Sequence, residues 1–252
     1  MHSMRGPVTL LALLTGPAHG NSACSLHQSA RQFGSCAVGS SDVDIATLTD
    51  ATKAYCVLLR QFGAFSVGSI GQVLSCLRKI EDGRQALIDL EPKGGRAKRR
   101  KAMRSMKALL AAEEERGIHG QGGVLADPSA AMGVLWVRRG LAFWARVFEL
   151  EATRLKACHY EAGAPGTLLQ QTHRAYELEI ARFHGWVSRK AFMVSVRAAP
   201  DWTELCERAG LPRERKRLAD ELREWAKVLD ALSKRMRALH TKFDLEDKRR
   251  SV

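Results

Sequence analysis

Two stretches of this chain carry side chains that a plain helical core would not select. LWVRRGLAFWARVFELE at 135–151 sets Trp136 beside Arg138 and Arg139, and AYELEIARFHGWVSRKAF at 175–192 sets His184 between the apolar Phe183 and Gly185–Trp186. An indole offers a broad face and one N–H donor, while an imidazole offers both a donor and an acceptor; together they suit non-covalent recognition of a polar ligand. Each has an ordinary alternative when taken singly, as a core tryptophan or a satisfied core histidine. Covalent chemistry finds less support. There is no Gly-x-Ser-x-Gly elbow, no HExxH, and no Gly-rich loop ending in Gly-Lys-Ser/Thr. The glycines of GIHGQGG at 117–123 follow no apolar strand. Cys158, His159 and His173 lack the spacing of a closed zinc site. The residues therefore predict a protein that is not an enzyme and needs no metal or cofactor.

The elements that position these residues are helices. Ile45, Leu48, Tyr55, Leu59 and Phe62 repeat at helical spacing, as do Val73, Leu77, Ile80 and Leu87, and then Met103, Met106 and Leu110. Leu141, Trp144, Phe148 and Leu155 follow, then Leu169, Tyr176, Ile180 and Phe183. The last stripe, Leu218 to Leu239, is the clearest. Pro92, Pro128, Pro165, Pro200 and Pro212 fall between the stripes, where a missing N–H does no damage. Asp127-Pro128-Ser129 and Pro200-Asp201-Trp202 read as helix starts. No stretch alternates strictly enough to predict a strand. The expectation is an all-α domain of about eight helices over 42–245, preceded by a disordered tail or possible targeting segment over 1–41 and followed by a basic tail over 246–252.

Composition narrows the partners. Forty Lys+Arg against 27 Asp+Glu leave a net charge of +13, which favours anionic surfaces. Lys93–Lys107 alone holds eight basic residues and no acid. That run is either a solvated loop and helix start or a contact for anions, lipid headgroups or nucleic acid. It lacks interleaved aromatics and any nucleic-acid recognition motif, so no nucleic-acid partner is expected. No apolar run approaches the roughly 20 residues of a spanning helix. The six cysteines form no CxxC pair and read as buried thiols of a reducing compartment. A cytoplasmic monomer that meets membranes transiently is the expectation.

The two motifs resemble the signature of the glycolipid transfer protein family. LWVRRGLAF is similar to that family's Leu-Trp-Leu-Lys-Arg-Gly-Leu helix. AYE…FHGW…AAP is similar to its Ala-Tyr-Glu…Tyr-His-Gly-Trp…Ala-Ala-Pro helix and turn, and Trp136 and His184 lie 48 positions apart, as the family spacing requires. Weaker likeness runs through 58–65, 73–82 and 109–117, and the whole resemblance covers about 42–245. It implies a two-layer helical sandwich that encloses one sphingolipid and transfers it between membranes. By the same resemblance Trp136 stacks a sugar, His184 donates to the ceramide amide carbonyl, Lys79 reaches sugar hydroxyls and Trp186 sits at the membrane interface. An indole face suits the C–H face of a pyranose.

Two positions depart from the family pattern. Gln72 stands where the family has an Asp that accepts the amide N–H, and Cys76 stands four residues later in place of Asn or Lys. Gln can still accept, without the charge assistance that strengthens such bonds. The ceramide-1-phosphate branch grips phosphate with arginines where this chain has Met132 and Trp136, so the resemblance implies a glycosylceramide ahead of ceramide-1-phosphate. A family member acting as a lipid sensor or interaction protein is the other alternative.

Overall fold

Every apolar stripe contributes to a helix, though Phe62, Met103, Ile180 and Phe183 fall in the turns and 3₁₀ segments at helix ends. A computed structural model describes residues 25–161 and 167–250. Along them run α1 (Leu26–Gly34), α2 (Ile45–Arg60), α3 (Val67–Asp89), α4 (Arg96–Ala102), α5 (Met106–Glu115), α6 (Ala130–Ala157), α7 (Leu168–Glu179), α8 (Trp186–Ser195), α9 (Trp202–Ala209) and α10 (Arg215–Lys242). The chain is an all-α two-layer sandwich, with ten helices among the described residues rather than about eight. The excess comes from short elements: α4 buries nothing, so no stripe marks it. One antiparallel pair, β1 (Ala37–Val38) with β2 (Asp42–Val43), is the only sheet among these residues. Ser129 and Asp201 cap α6 and α9, as the two junction motifs predict. Pro165 lies outside the described residues.

Helix α6 is the axis of the molecule, packed along α10, α3 and α7. Its first turn is held twice over. The Ser129 hydroxyl accepts the Met132 N–H, and the buried Glu113 carboxylate accepts the N–H groups of Ala130 at 2.8 Å and Ala131 at 2.7 Å. These bonds satisfy donors that a helix start leaves open, and the anion meets the positive end of the helix dipole. Close contact with α3 depends on Gly133. A Cβ there would lie 2.6 Å from the Cys76 carbonyl oxygen and 2.8 Å from Ile80 Cγ1. Gly133→Ala is therefore expected to destabilise the fold by about 2 kcal/mol through overpacking, lowering Tm by roughly 4–8 °C. Gly140→Ala is the matched control, because nothing lies within 4 Å of its Cβ position. Thermal denaturation showing equal losses for both would contradict this account of the α3–α6 contact.

Both termini differ from the sequence expectation. Residues 25–41 are not a tail. Leu26, Ala30, Phe33 and Cys36 are buried, α1 lies against α10 and α2, and Trp225 Nε1 donates to Ser29 Oγ at 3.1 Å. The Ser- and Gln-rich composition concealed an i, i+4, i+7 face. The targeting expectation for 1–24, and Cys24 with it, lies outside the described residues. The C-terminal stretch is likewise no loose basic tail. Arg138 Nη2 donates to Glu246 at 2.6 Å, Arg139 donates to the Asp247 carbonyl, and the Leu125 N–H donates to the Asp247 carboxylate at 3.0 Å. Residues 251–252 lie outside the described residues. All five described cysteines are free thiols. Among the described residues no helix is long and apolar enough to cross a membrane.

Candidate functional site

Four of the residues singled out by sequence meet in one cavity. Helix α3 contributes Gln72 and Cys76, α6 contributes Trp136, and the turn between α7 and α8 contributes His184, around a space of about 500 Å³. That volume falls in the usual range of small-molecule sites, about 300–1,000 Å³. Its walls are largely apolar and aromatic, with Phe65, Phe143, Trp144 and Phe192 among them. No Lys, Arg, Asp or Glu lines it among the described residues.

His184 owes its position to local structure. The short 3₁₀ turn Ala181–Phe183 ends α7, and His184 takes extended backbone (φ −92°, ψ 133°) before α8 begins. Its ring lies 5.7 Å from the Trp136 ring at an interplanar angle of 33°. Nδ1 lies 3.1 Å from the Tyr176 hydroxyl. A phenol donating to Nδ1 places the imidazole proton on Nε2, which leaves Nε2–H as the donor for a ligand. Burial first, then the Arg189 and Arg139 charges, hold the His184 pKa below the ordinary imidazole value, so the ring is neutral at pH 7. Tyr176 is itself pinned by stacking on Phe192, with ring centroids 3.8 Å apart and planes 10° apart. Arg139 lies over both the Trp136 and Phe183 rings, at 5.1 and 3.5 Å, a cation–π arrangement that braces the indole from outside the cavity.

The other candidates fall into different settings. Gln72 is exposed at the rim. Cys76 is buried, and burial pushes its thiol up to about 11, so it offers only a weak neutral S–H. Lys79 does not line the cavity. It pairs with Asp127 at 2.5 Å, near enough to Cys76 for its charge to oppose the rise of the thiol. Trp186 opens α8, is 70% exposed, and carries Lys190 Nζ 4.1 Å from its ring centroid; it too lies outside the cavity lining. Tyr176 and Arg139 escaped the sequence reading as site residues. Tyr176 sits on an apolar stripe and Arg139 next to a second arginine, so neither spacing separates support of the site from packing.

Comparison with known proteins agrees with this geometry. The family model described as Glycolipid transfer protein (GLTP) matches residues 43–211. The glycolipid transfer protein of Danio rerio is 23% identical over 145 residues, which span 57% of this chain and 66% of that protein, just under two thirds of its length. Human ceramide-1-phosphate transfer protein in complex with 12:0 ceramide-1-phosphate superposes with a TM-score of 0.72 at 19% identity, covering 89% of this chain and 99% of that one. A fungal glycolipid transfer protein superposes with a TM-score of 0.63 at 15% identity, covering 85% and 95%. The structural likeness establishes the shared fold, and the profile match across two motif-bearing helices establishes descent: the chain belongs to the glycolipid transfer protein family.

Proposed function

We propose that this protein binds one sphingolipid, a glycosylceramide in preference to ceramide-1-phosphate, and transfers it between membranes without chemical change. The observation that carries the reading is the pairing of Trp136 with His184 at 5.7 Å in one apolar cavity. The indole receives the sugar, and Nε2–H of His184 donates to the amide carbonyl. Gln72, on the facing helix, accepts the amide N–H through its side-chain oxygen. The uncharged lining supports a neutral headgroup, since a phosphate dianion left without cations would be costly to desolvate. The exposed Trp186 and the basic α4 suit a peripheral encounter with an anionic membrane.

Binding measured on variants tests the headgroup assignment. Trp136→Ala is expected to weaken a glycosylceramide and to spare bare ceramide, because the indole contacts only the sugar. Gln72→Asp is expected to strengthen ceramide binding by roughly 1 kcal/mol, about fivefold, by replacing a neutral acceptor with a charged one. Equal affinities for wild type and both variants, with either lipid, would remove the headgroup from this site and favour a sensor or interaction role.

A further inference from the structure

Where α6 meets α10 and the turn before His184, a second cleft is walled by Arg138, Arg139, Arg182, Arg237, Glu179 and Glu246. It shares no residue with the lipid cavity. Arg138 and Arg139 form its floor, 2% and 5% exposed, while Arg182 and Arg237 are exposed at its mouth. The carboxylates do not balance them. Glu246 meets Arg138 at 2.6 Å and Arg139 at 3.9 Å, whereas Glu179 is committed to Arg146 at 3.1 Å. Among the described residues neither Arg182 nor Arg237 makes an ion pair. On the floor, Arg138 Nε and Nη1 and Arg139 Nε are buried with no hydrogen-bond partner.

The electrostatics carry the same sign. Burial first, and then Arg237 and Arg182, depress the Arg138 pKa against the pull of Glu246. Burial and the Arg138 charge push Arg139 down to about 10. The enclosed space is about 10 Å³, room for a single water at most. One water could bond the open N–H groups, but it would not offset four guanidinium charges when Glu246 is shared by Arg138 and Arg139 and Glu179 is held by Arg146. An anion at the mouth would offset that charge. The cleft also continues, through Ala142, Glu179, Ser233 and Arg237, into a groove of about 530 Å³ along α6 and α10. That groove can take the remainder of a ligand whose anionic end reaches the arginines.

We propose that the mouth of this cleft binds a phosphomonoester group, gripped by the exposed Arg182 and Arg237, with the buried Arg138 and Arg139 charges behind them. A tetrahedral dianion carries more charge and more acceptor oxygens than a carboxylate, so it can engage two exposed guanidinium groups at once. The phosphate comes either from a soluble phosphate compound or from a lipid headgroup, and both sources offer the same chemistry. Occupancy reaches the lipid cavity through Arg139, which lies over the Trp136 ring.

The test uses the full chain free of lipid. Inorganic phosphate is titrated calorimetrically in chloride buffer, and sedimentation is measured with vesicles containing either phosphatidic acid or phosphatidylglycerol. The expected result is saturable binding of one phosphate per chain. Arg182→Gln with Arg237→Gln should weaken it about tenfold or more, as loss of charge-assisted bonds requires. Both residues are exposed, so the double variant should keep the wild-type Tm. Arg31→Gln with Lys216→Gln, exposed on α1 and α10, should leave binding unchanged. A preference for phosphatidic acid that disappears in the Arg182/Arg237 variant assigns the site to headgroups; phosphate binding without that preference assigns it to a soluble compound. No saturable phosphate binding together with no vesicle preference would overturn the proposal. So would binding that survives the Arg182/Arg237 variant or is lost in the Arg31/Lys216 variant.

Discussion

His184→Ala is expected to weaken sphingolipid binding by about 3 kcal/mol, on the order of a hundredfold, with a matching fall in transfer rate. Two contributions add. The bond itself accounts for about 0.5–1.5 kcal/mol net, and the amide carbonyl left unpaired in an apolar cavity costs a further 1–3 kcal/mol or so. No charged side chain lines the cavity among the described residues, so no charge-assisted bond replaces the lost donor. Tyr176→Phe provides a graded companion. It keeps the imidazole but frees Nδ1 from the hydroxyl 3.1 Å away, so the proton divides between the two nitrogens and affinity falls only a few-fold, as loss of one neutral bond predicts. Equilibrium binding of one fluorescent glycosylceramide to wild type and both variants checks the ordering. A His184→Ala protein that binds within about threefold of wild type while keeping its Tm would contradict the role assigned to the imidazole.

Trp225→Ala is expected to cause the largest loss of stability, about 3–5 kcal/mol, or a Tm lower by roughly 6–20 °C. The side chain is fully buried. Its ring lies 4.7 Å from Phe148, 5.1 Å from Tyr55 and 6.4 Å from Phe33, centroid to centroid. Truncation would empty the junction of α1, α2, α6 and α10 and strand the Ser29 hydroxyl that accepts the indole N–H. Ser29→Ala, which removes only the acceptor, should cost about 1 kcal/mol. If α1 were a loosely attached tail, Ser29→Ala would leave thermal unfolding nearly unchanged, while Trp225→Ala would still cost stability through Tyr55 and Phe148. That outcome would reverse the structural reading of residues 25–41.

The helices were legible because burial imposes a period. Leu218, Leu222, Trp225, Leu229, Leu232, Met236 and Leu239 are all buried on α10, and the spacing alone predicts the helix and its inner face. Where burial is slight, the period fades. Leu169 heads a predicted stripe yet is exposed, and its neighbour Leu168 is buried instead, a one-residue error that a capped first turn readily produces. α1 was hidden because a nine-residue helix holds too few apolar positions to outweigh its polar composition. At the site, Trp136 and His184 stood out through the two extended family matches, each having an ordinary core reading when taken singly, and the structure brings both to one cavity with Gln72 and Cys76. Lys79 shows the limit. A register of α3 places it one turn beyond Cys76, but only tertiary structure reveals Asp127 at 2.5 Å to hold it. The arginine cleft is likewise a product of packing between segments far apart in sequence, while the Tyr176–His184 bond spans only eight residues but depends on the 3₁₀ turn between them, which no helical period encodes.

The most direct test of the central claim is a vesicle-to-vesicle transfer assay that follows a fluorescent galactosylceramide and a fluorescent ceramide-1-phosphate side by side. A cavity with an indole and a neutral imidazole, and with no cation in its lining among the described residues, predicts that the protein accelerates galactosylceramide transfer well above its effect on ceramide-1-phosphate. Faster transfer of ceramide-1-phosphate, or acceleration of neither lipid, would contradict the account.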